Sequence, residues 1–366
     1  MRAFLGKIGL TGAALLLAIT LAPAAFSQST PRFSVDPYWP KPLPDHQILG
    51  QVAGIAVDGR DTIWLIHRPG SLVEDEKGAT KTPPESRCCK PAAPVLQLDR
   101  NGKLLRAWGG PGQGYEWPSN EHGIHVDRDG NVWIAGNGKG DHQILKFAPD
   151  GKFLMQIGKS GSTGGSNSTT QLGLPAHMVT DDVAGELYVA DGYGNRRIVV
   201  FDAKSGAHKR HWGAYGEKPA DGPLPKYDPK AAFSRSFANP VHCVRLSNDG
   251  LVYVCDRVNN RVQVFKKDGA YVKEFRVSAD TLANGAVWDL VLSKDRRQQF
   301  IFMADGNNNE IVVLDRDTGK VLSSFGQAGR IAGQFKWVHN IAIDSRGALY
   351  TAEVGTGRRA QRFLRK

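Results

Sequence analysis

Short runs of alternating apolar and polar residues divide this chain into similar units. Each run ends at Asp or Ser, turns, usually through Gly, and resumes as an apolar, mostly aromatic-bearing strand. The units are VAGIAVDGRDTIWLIHR (52–68), EHGIHVDRDGNVWIAGN (121–137), PAHMVTDDVAGELYVADG (175–192), PVHCVRLSNDGLVYVCDR (240–257), AVWDLVLSKDRRQQFIFMADG (286–306) and WVHNIAIDSRGALYTAEV (337–354). Period-two alternation across a tight turn predicts an antiparallel hairpin. A third run such as ILKF, IVVF or VQVF follows, and most units add a fourth that ends near Gly, as in LLRAWG, FLMQIG and HKRHWG.

Six units of four strands predict an all-β, six-bladed β-propeller. A solenoid is the alternative, but it needs terminal caps that the pattern lacks. The last unit stops after its third strand, at Phe363, so Phe33 to Val35 is expected to supply the missing strand and close the ring. Closure removes the exposed edges of an open array. Three segments interrupt the repeat: Pro69 to Pro94, Glu217 to Ser236, and the Gly/Ser-rich Lys159 to Thr170. The first two are expected to shape access to one face; the third reads as a flexible linker.

Composition refines this picture at the N-terminus. Arg2 and Lys7 precede a mostly apolar run from Leu10 to Ala25, and Ala25-Phe26-Ser27 offers small residues for cleavage. That reads as a signal peptide over 1–27 and a secreted or periplasmic propeller over 28–366. A single membrane anchor is the alternative, but the run is short for a span and lacks a basic flank, so no stable membrane insertion is expected. With 42 Gly, 20 Pro and 41% hydrophobic residues the chain is turn-rich and globular. The net charge of +11 falls by two, to +9, without Arg2 and Lys7. Apart from a basic C-terminus (Arg358, Arg359, Arg362, Arg365, Lys366), the cations are scattered. That lacks the basic stripe of a nucleic-acid binder and suits a small-molecule or peptide substrate with a carboxylate, acted on by a monomer. Cys243 and Cys255 fall opposite one another across a hairpin and can pair; Cys88-Cys89 read as a loop disulfide before a metal site.

The chemistry lies in two recurring slots. Five residues before the Asp or Ser that ends each first strand stand Ala53, His122, Ala176, His242, Trp288 and His339. Alternate blades of a six-fold ring are related by about a third of a turn, so three imidazoles converge on the axis. Three neutral nitrogen ligands and an open position are the arrangement of catalytic zinc. Any one of these histidines alone reads as a hydrogen-bonded core residue; the trio in alternating register does not. His125 and His177 break register and read as structural. The second slot, just after the second strand, holds Arg68 and Arg257 in opposite blades. Two guanidinium groups beside a metal suit a carboxylate, though solvated loop arginines are the alternative. Tyr193, in DGYGN, follows the equivalent position of the third blade and is a candidate general base, or a packing residue. Asn195-Arg196 and Asn260-Arg261 read as turn contacts.

Over about 50 to 363 the unit pattern resembles the NHL-type propeller, and the site residues resemble those of peptidyl-α-hydroxyglycine α-amidating lyase, also called peptidylamidoglycolate lyase. The resemblance implies zinc held by His122 in EHGI, His242 in NPVHCV and His339 in WVHNIA. It implies a catalytic tyrosine at Tyr193 in DGYGNRRI, and active-site arginines at Arg68 in IHRPG and Arg257 in CDRVNNRV. It also implies a structural calcium on the backbone carbonyls of Ile55 and Ile124 and on the residue after the third histidine, where the family's Asp is replaced here by Asn340. Trp337-Val338 stands for the family's Met-Pro, and Gly194, Tyr253 and Val264 occupy the disulfide positions of the animal enzymes. The expected function is a secreted zinc-dependent lyase that cleaves an α-hydroxyglycine-type carbinolamide to an amide and glyoxylate. The alternatives are a non-catalytic NHL propeller that binds a protein or cell-wall ligand, and a lactonase-like propeller hydrolase. The last uses axial calcium on carboxylate and amide oxygens, against which an axis of His and Arg argues.

Overall fold

The Asp that closes a first strand fixes the hairpin after it. One carboxylate oxygen of Asp58, of Asp127 and of Asp344 accepts the N–H groups two and four residues on, at 2.8 to 3.1 Å. The other oxygen takes the polar hydrogen of the aromatic in the second strand: Trp64, Trp133 or Tyr350, each at 3.1 Å. Turn geometry and second-strand register are thus set by one side chain.

In a computed structural model, which describes residues 1, 3–6 and 29–366, these hairpins build six four-stranded antiparallel sheets. Blade 1 comprises Gln51–Val57, Ile63–Arg68, Val95–Leu98 and Leu104–Trp108, and blade 2 Glu121–Val126, Val132–Gly136, Gln143–Phe147 and Phe153–Gly158. Blades 3, 4 and 5 begin with His177–Asp181, Val241–Leu246 and Val287–Leu292. Blade 6 takes Val338–Ile343, Leu349–Glu353 and Arg359–Arg365 from the end of the chain, and its fourth strand, Phe33–Asp36, from the beginning. Val35 pairs with Phe363 and Asp36 with Arg362, so the ring closes as the sequence predicts. Most of the expected signal peptide, with Arg2, Lys7 and the apolar run, lies outside the described residues. Among the described residues no helix is long and apolar enough to cross a membrane. Pro31–Lys366 form one compact unit.

The core lies between blades. Six apolar clusters each join residues of two neighbouring sheets, the seam included, where Ile55, Leu65 and Leu96 of blade 1 meet Tyr350 and Ala352 of blade 6. Both faces of every sheet are covered, so a middle strand such as Phe300–Asp305 is buried throughout. In blades 3 and 4 the second strand ends in an Asp that a buried arginine neutralises: Arg197 with Asp191 at 2.9 Å and Arg261 with Asp256 at 2.7 Å. Asn195 and Asn259 bond the same carboxylates, which supports the reading of these stretches as structural.

The Gly/Ser-rich segment departs from expectation. It is pinned rather than a free linker, because Ser166 is fully buried and its N–H donates to Asp221 of the second insertion at 2.9 Å. Asn167 donates to the Pro219 carbonyl at 3.0 Å, and Arg197 to that of Ser166 at 3.0 Å. Composition alone misses these partners, which lie 31 to 55 residues away. Cys243 and Cys255 are paired, with Cα atoms 4.8 Å apart, as are Cys88 and Cys89. In the C-terminal basic run, Arg358, Arg359 and Arg362 are engaged by Glu76, Glu353 and Asp36.

Burial in this core has a pH signature. His125, between blades 2 and 3, is held down to about 4 first by burial and then by the Arg245 guanidinium, and its Nε2 accepts the Thr180 N–H at 3.1 Å. Burial likewise holds His67 down to about 4. The unfolded chain protonates these rings near an ordinary pKa of about 6.5, so each contributes stability above that pH that is lost on acidification toward 4. The loss is on the order of 3 kcal/mol per ring at its limit. The melting temperature should therefore fall between pH 6.5 and 4, and His125→Gln should flatten that slope. A variant whose pH profile parallels wild type would remove His125 from this account.

Candidate functional site

The slot residues share one backbone feature. Register shifts interrupt the pairing of the first strand between Val52 and Gly54, Glu121 and Ile124, Val241 and Cys243, Val287 and Asp289, and Val338 and Asn340. The residues skipped include Ala53, His122, His242, Trp288 and His339. A bulge leaves its extra residue out of the ladder and re-aims its side chain. Here it turns a strand residue toward the propeller axis. In blade 3 the strand begins after Ala176, and the result is the same.

The structure brings the three slot histidines together. One ring nitrogen of each of His122, His242 and His339 lies within 4.8 Å of the others, and the ring centroids are 4.6 to 5.2 Å apart. Each ring is fixed from behind by a carbonyl of the next blade. His122 Nδ1 donates to Ala176 at 2.8 Å, His242 Nδ1 to Trp288 at 2.5 Å, and His339 Nδ1 to Ala53 at 2.7 Å. The acceptors are the slot residues of the odd-numbered blades. A nitrogen that faces a carbonyl carries the proton, so each Nε2 keeps its lone pair, the orientation that metal-bound histidines show. Gly123 makes room for this, because a Cβ there would lie 2.6 Å from the Ala176 carbonyl oxygen. Burial keeps all three imidazoles neutral: it holds His339 down to about 3, and His122 and His242 well below the ordinary range, with neighbouring imidazoles and the two arginines adding to the effect.

Tyr193 and Arg257 join this cluster. The Tyr193 hydroxyl lies 3.0 Å from His122 Nε2 and 3.1 Å from His242 Nε2, and Arg257 Nη1 donates to it at 3.3 Å. Its loop is pressed against blade 4, since a Cβ on Gly192 would lie 1.9 Å from the Val241 carbonyl oxygen. Asn239 clamps that loop through the Gly192 and Asn195 carbonyls, each at 2.8 Å. Arg257 stands 4.5 Å over the Trp288 ring, and its Nε–H has no protein partner. Arg68 faces the cluster from blade 1 but makes no hydrogen bond to Tyr193. It is held by the Glu121 carbonyl and Gln51, both at 2.8 Å, and by Asn137. Beside it burial pushes the Glu121 carboxyl up, and Trp117 Nε1 donates to that carboxyl at 2.9 Å.

Sequence reasoning undervalued Trp288. It counted only as apolar, yet its carbonyl orients His242 and its ring carries Arg257; its place in the slot series was the available signal. His125 and His177 stay outside the cluster, and both His177 nitrogens are buried without a partner. The residues assigned to calcium do not fit that ion. Asn340 Oδ1 accepts the Ile55 N–H at 2.7 Å and its Nδ2 donates to Asp289. The same Asp289 oxygen accepts Arg245 at 2.7 Å and the Ile341 N–H at 3.0 Å, and its other oxygen accepts the Leu290 N–H at 2.8 Å. A guanidinium already neutralises the only carboxylate here, whereas calcium needs six to eight oxygen ligands. An amide at position 340, in place of a carboxylate, is the physical reason for the difference.

A family model described as NHL repeat matches residues 241–265. Peptidyl-glycine alpha-amidating monooxygenase B of Xenopus laevis is 27% identical over 318 residues, 83% of this chain and 33% of that protein. The chain thus spans about a third of the length of the first curated relatives it matches. A probable peptidyl-alpha-hydroxyglycine alpha-amidating lyase of Caenorhabditis elegans is 26% identical over 324 residues, 85% of this chain and 81% of that protein. Among solved structures, the β-propeller domain of Cps50 from Myceliophteria thermophila superposes with a TM-score of 0.51 at 12% identity, covering 86% of this chain and 96% of that one, which bears on the fold alone.

Calcium added at millimolar concentration to chelator-treated protein should move the melting temperature by less than about 1 °C, since a ligand stabilises only a fold that binds it. A rise of several degrees would mean that Asn340 and Asp289 open to admit the ion. In sum, the chain is a six-bladed propeller that carries an NHL repeat and is similar in sequence, over most of its length, to proteins named peptidyl-α-hydroxyglycine α-amidating lyase.

Proposed function

We propose that this chain is an exported zinc-dependent lyase that splits the C–N bond of an α-hydroxyglycine-type carbinolamide, releasing an amide and glyoxylate. The observation that carries this reading is the convergence of three neutral, back-braced imidazoles with the Tyr193 hydroxyl and the Arg257 guanidinium. The three-imidazole donor set suits zinc with a position left open. What zinc supplies there when bound is Lewis acidity toward a hydroxyl or carboxylate oxygen of the substrate.

The residues of the chain account for the remainder. Arg257, with an unpaired Nε–H, and Arg68 across the ring present cations to a carboxylate. Tyr193, as its conjugate base, takes the hydroxyl proton. The carbinol C–O bond becomes the aldehyde of glyoxylate, and the C–N electron pair leaves with the nitrogen, which takes up a proton to give the amide. Arg257 donates to the Tyr193 oxygen at 3.3 Å and so holds the phenol in place beside the reacting hydroxyl. The uncommitted partners are cations and neutral imidazoles, a field that attracts an anionic substrate.

A propeller that only binds would tolerate loss of these side chains. Tyr193→Phe is expected to lower glyoxylate release from N-acyl-α-hydroxyglycines by about a hundredfold or more, and a variant with wild-type turnover would end the mechanism. Metal analysis of the purified protein should find zinc that His242→Ala has lost. Equal metal content in the two proteins would remove the histidines as ligands.

A further inference from the structure

We propose that the cleft running outward from Arg68 receives the group carried on the substrate's nitrogen, and that it selects an apolar, ring-bearing acyl group. The identity of the substrate rests on the lyase reading above; the existence and chemistry of the cleft do not. The cleft measures about 680 Å3 and lies between the loop that follows the second strand of blade 1 and the segment leading into blade 2. That size is within the range of small-molecule sites.

Its lining is mixed. Arg68 and Glu121, joined by the hydrogen bond from Arg68 Nε to the Glu121 carbonyl, share it with Gln51 and Asn120. Its apolar walls are Pro94, Pro111, Trp117 and Pro118. These walls are preformed. Trp117 is held by its bond to the Glu121 carboxyl and by its contact with Phe147, whose ring centroid lies 5.9 Å away, and prolines have little freedom to lose. A rigid apolar wall costs little entropy on binding. A substrate whose carboxylate meets Arg68 and Arg257 has its carbinol carbon near the axis and its nitrogen one bond away. Its acyl group must therefore leave the axis through an adjoining opening. The cleft contains Arg68 itself, whereas a smaller cavity of about 280 Å3 by the second insertion, lined by Tyr227, Phe233, Arg261 and Arg276 among others, includes none of the converging residues.

The test compares hippurate (N-benzoylglycine) with N-acetylglycine by calorimetric titration of the zinc-loaded protein; neither has a hydroxyl to turn over. Hippurate is expected to bind about tenfold tighter or more. Trp117→Ala and Pro111→Asp should each cut that ratio to below about threefold; Pro111 is exposed, so its variant decides the matter if Trp117→Ala fails to fold. Equal affinity for the two ligands in wild type, or a ratio unmoved in a folded variant, would overturn the assignment. Glyoxylate release is scored separately on N-benzoyl-α-hydroxyglycine. No release with the hippurate preference intact sinks the lyase reading and leaves the cleft; release without any preference sinks the cleft and leaves the lyase.

Discussion

The axial site depends on a bulge at the start of the inner strand in five of the six blades, all three histidine-bearing ones included. In a regular ladder the slot side chain would stand on a sheet face and join the packing between blades. Skipped by the register, it points down the axis instead. The bulge also leaves backbone groups free of ladder partners. In odd-numbered blades the slot carbonyl accepts the Nδ1–H of the histidine before it, so the feature that aims one side chain also braces its neighbour. Buried polar groups need partners, and this exchange satisfies them without water.

Much of this was legible from residue order because the bulge stands at a constant distance from a turn with its own chemistry. Asp58, Asp127 and Asp344 lock their hairpins through the same bonds, so counting back from them reaches equivalent points in space. Alternation supplied the strands, and the truncated last unit supplied the closure through Phe33–Asp36. What escaped was set by partners remote in sequence. Trp288 owes its role to Arg257 and His242, the Gly/Ser segment its order to Asp221, and Asn340 its bonds to Asp289 and Ile55. None of these pairings follows from local periodicity or composition.

Charge near the axis falls into separate groups. Arg68 and Arg257 accompany the neutral imidazoles, and the Arg245–Asp289 ion pair forms a further group bonded to Asn340. Breaking one member of such a pair leaves an uncompensated charge in a low-dielectric interior. The pair therefore resists any ion that would need Asp289 for itself, while the imidazoles meet only neutral partners, carbonyls at each Nδ1 and a phenol at the Nε2 atoms of His122 and His242.

The division of labour between odd and even blades also bears on what this scaffold can be made to do. Ala53 and Ala176 serve the histidines through main-chain oxygens alone, whereas the Trp288 ring also packs edge-on against His242 and His339. Every amino acid supplies that oxygen, so the two alanine positions are released from any duty of holding the histidine trio. Both leave space beside the imidazoles. The shape of the chamber can therefore be rewritten at two points while the imidazoles stay where they are.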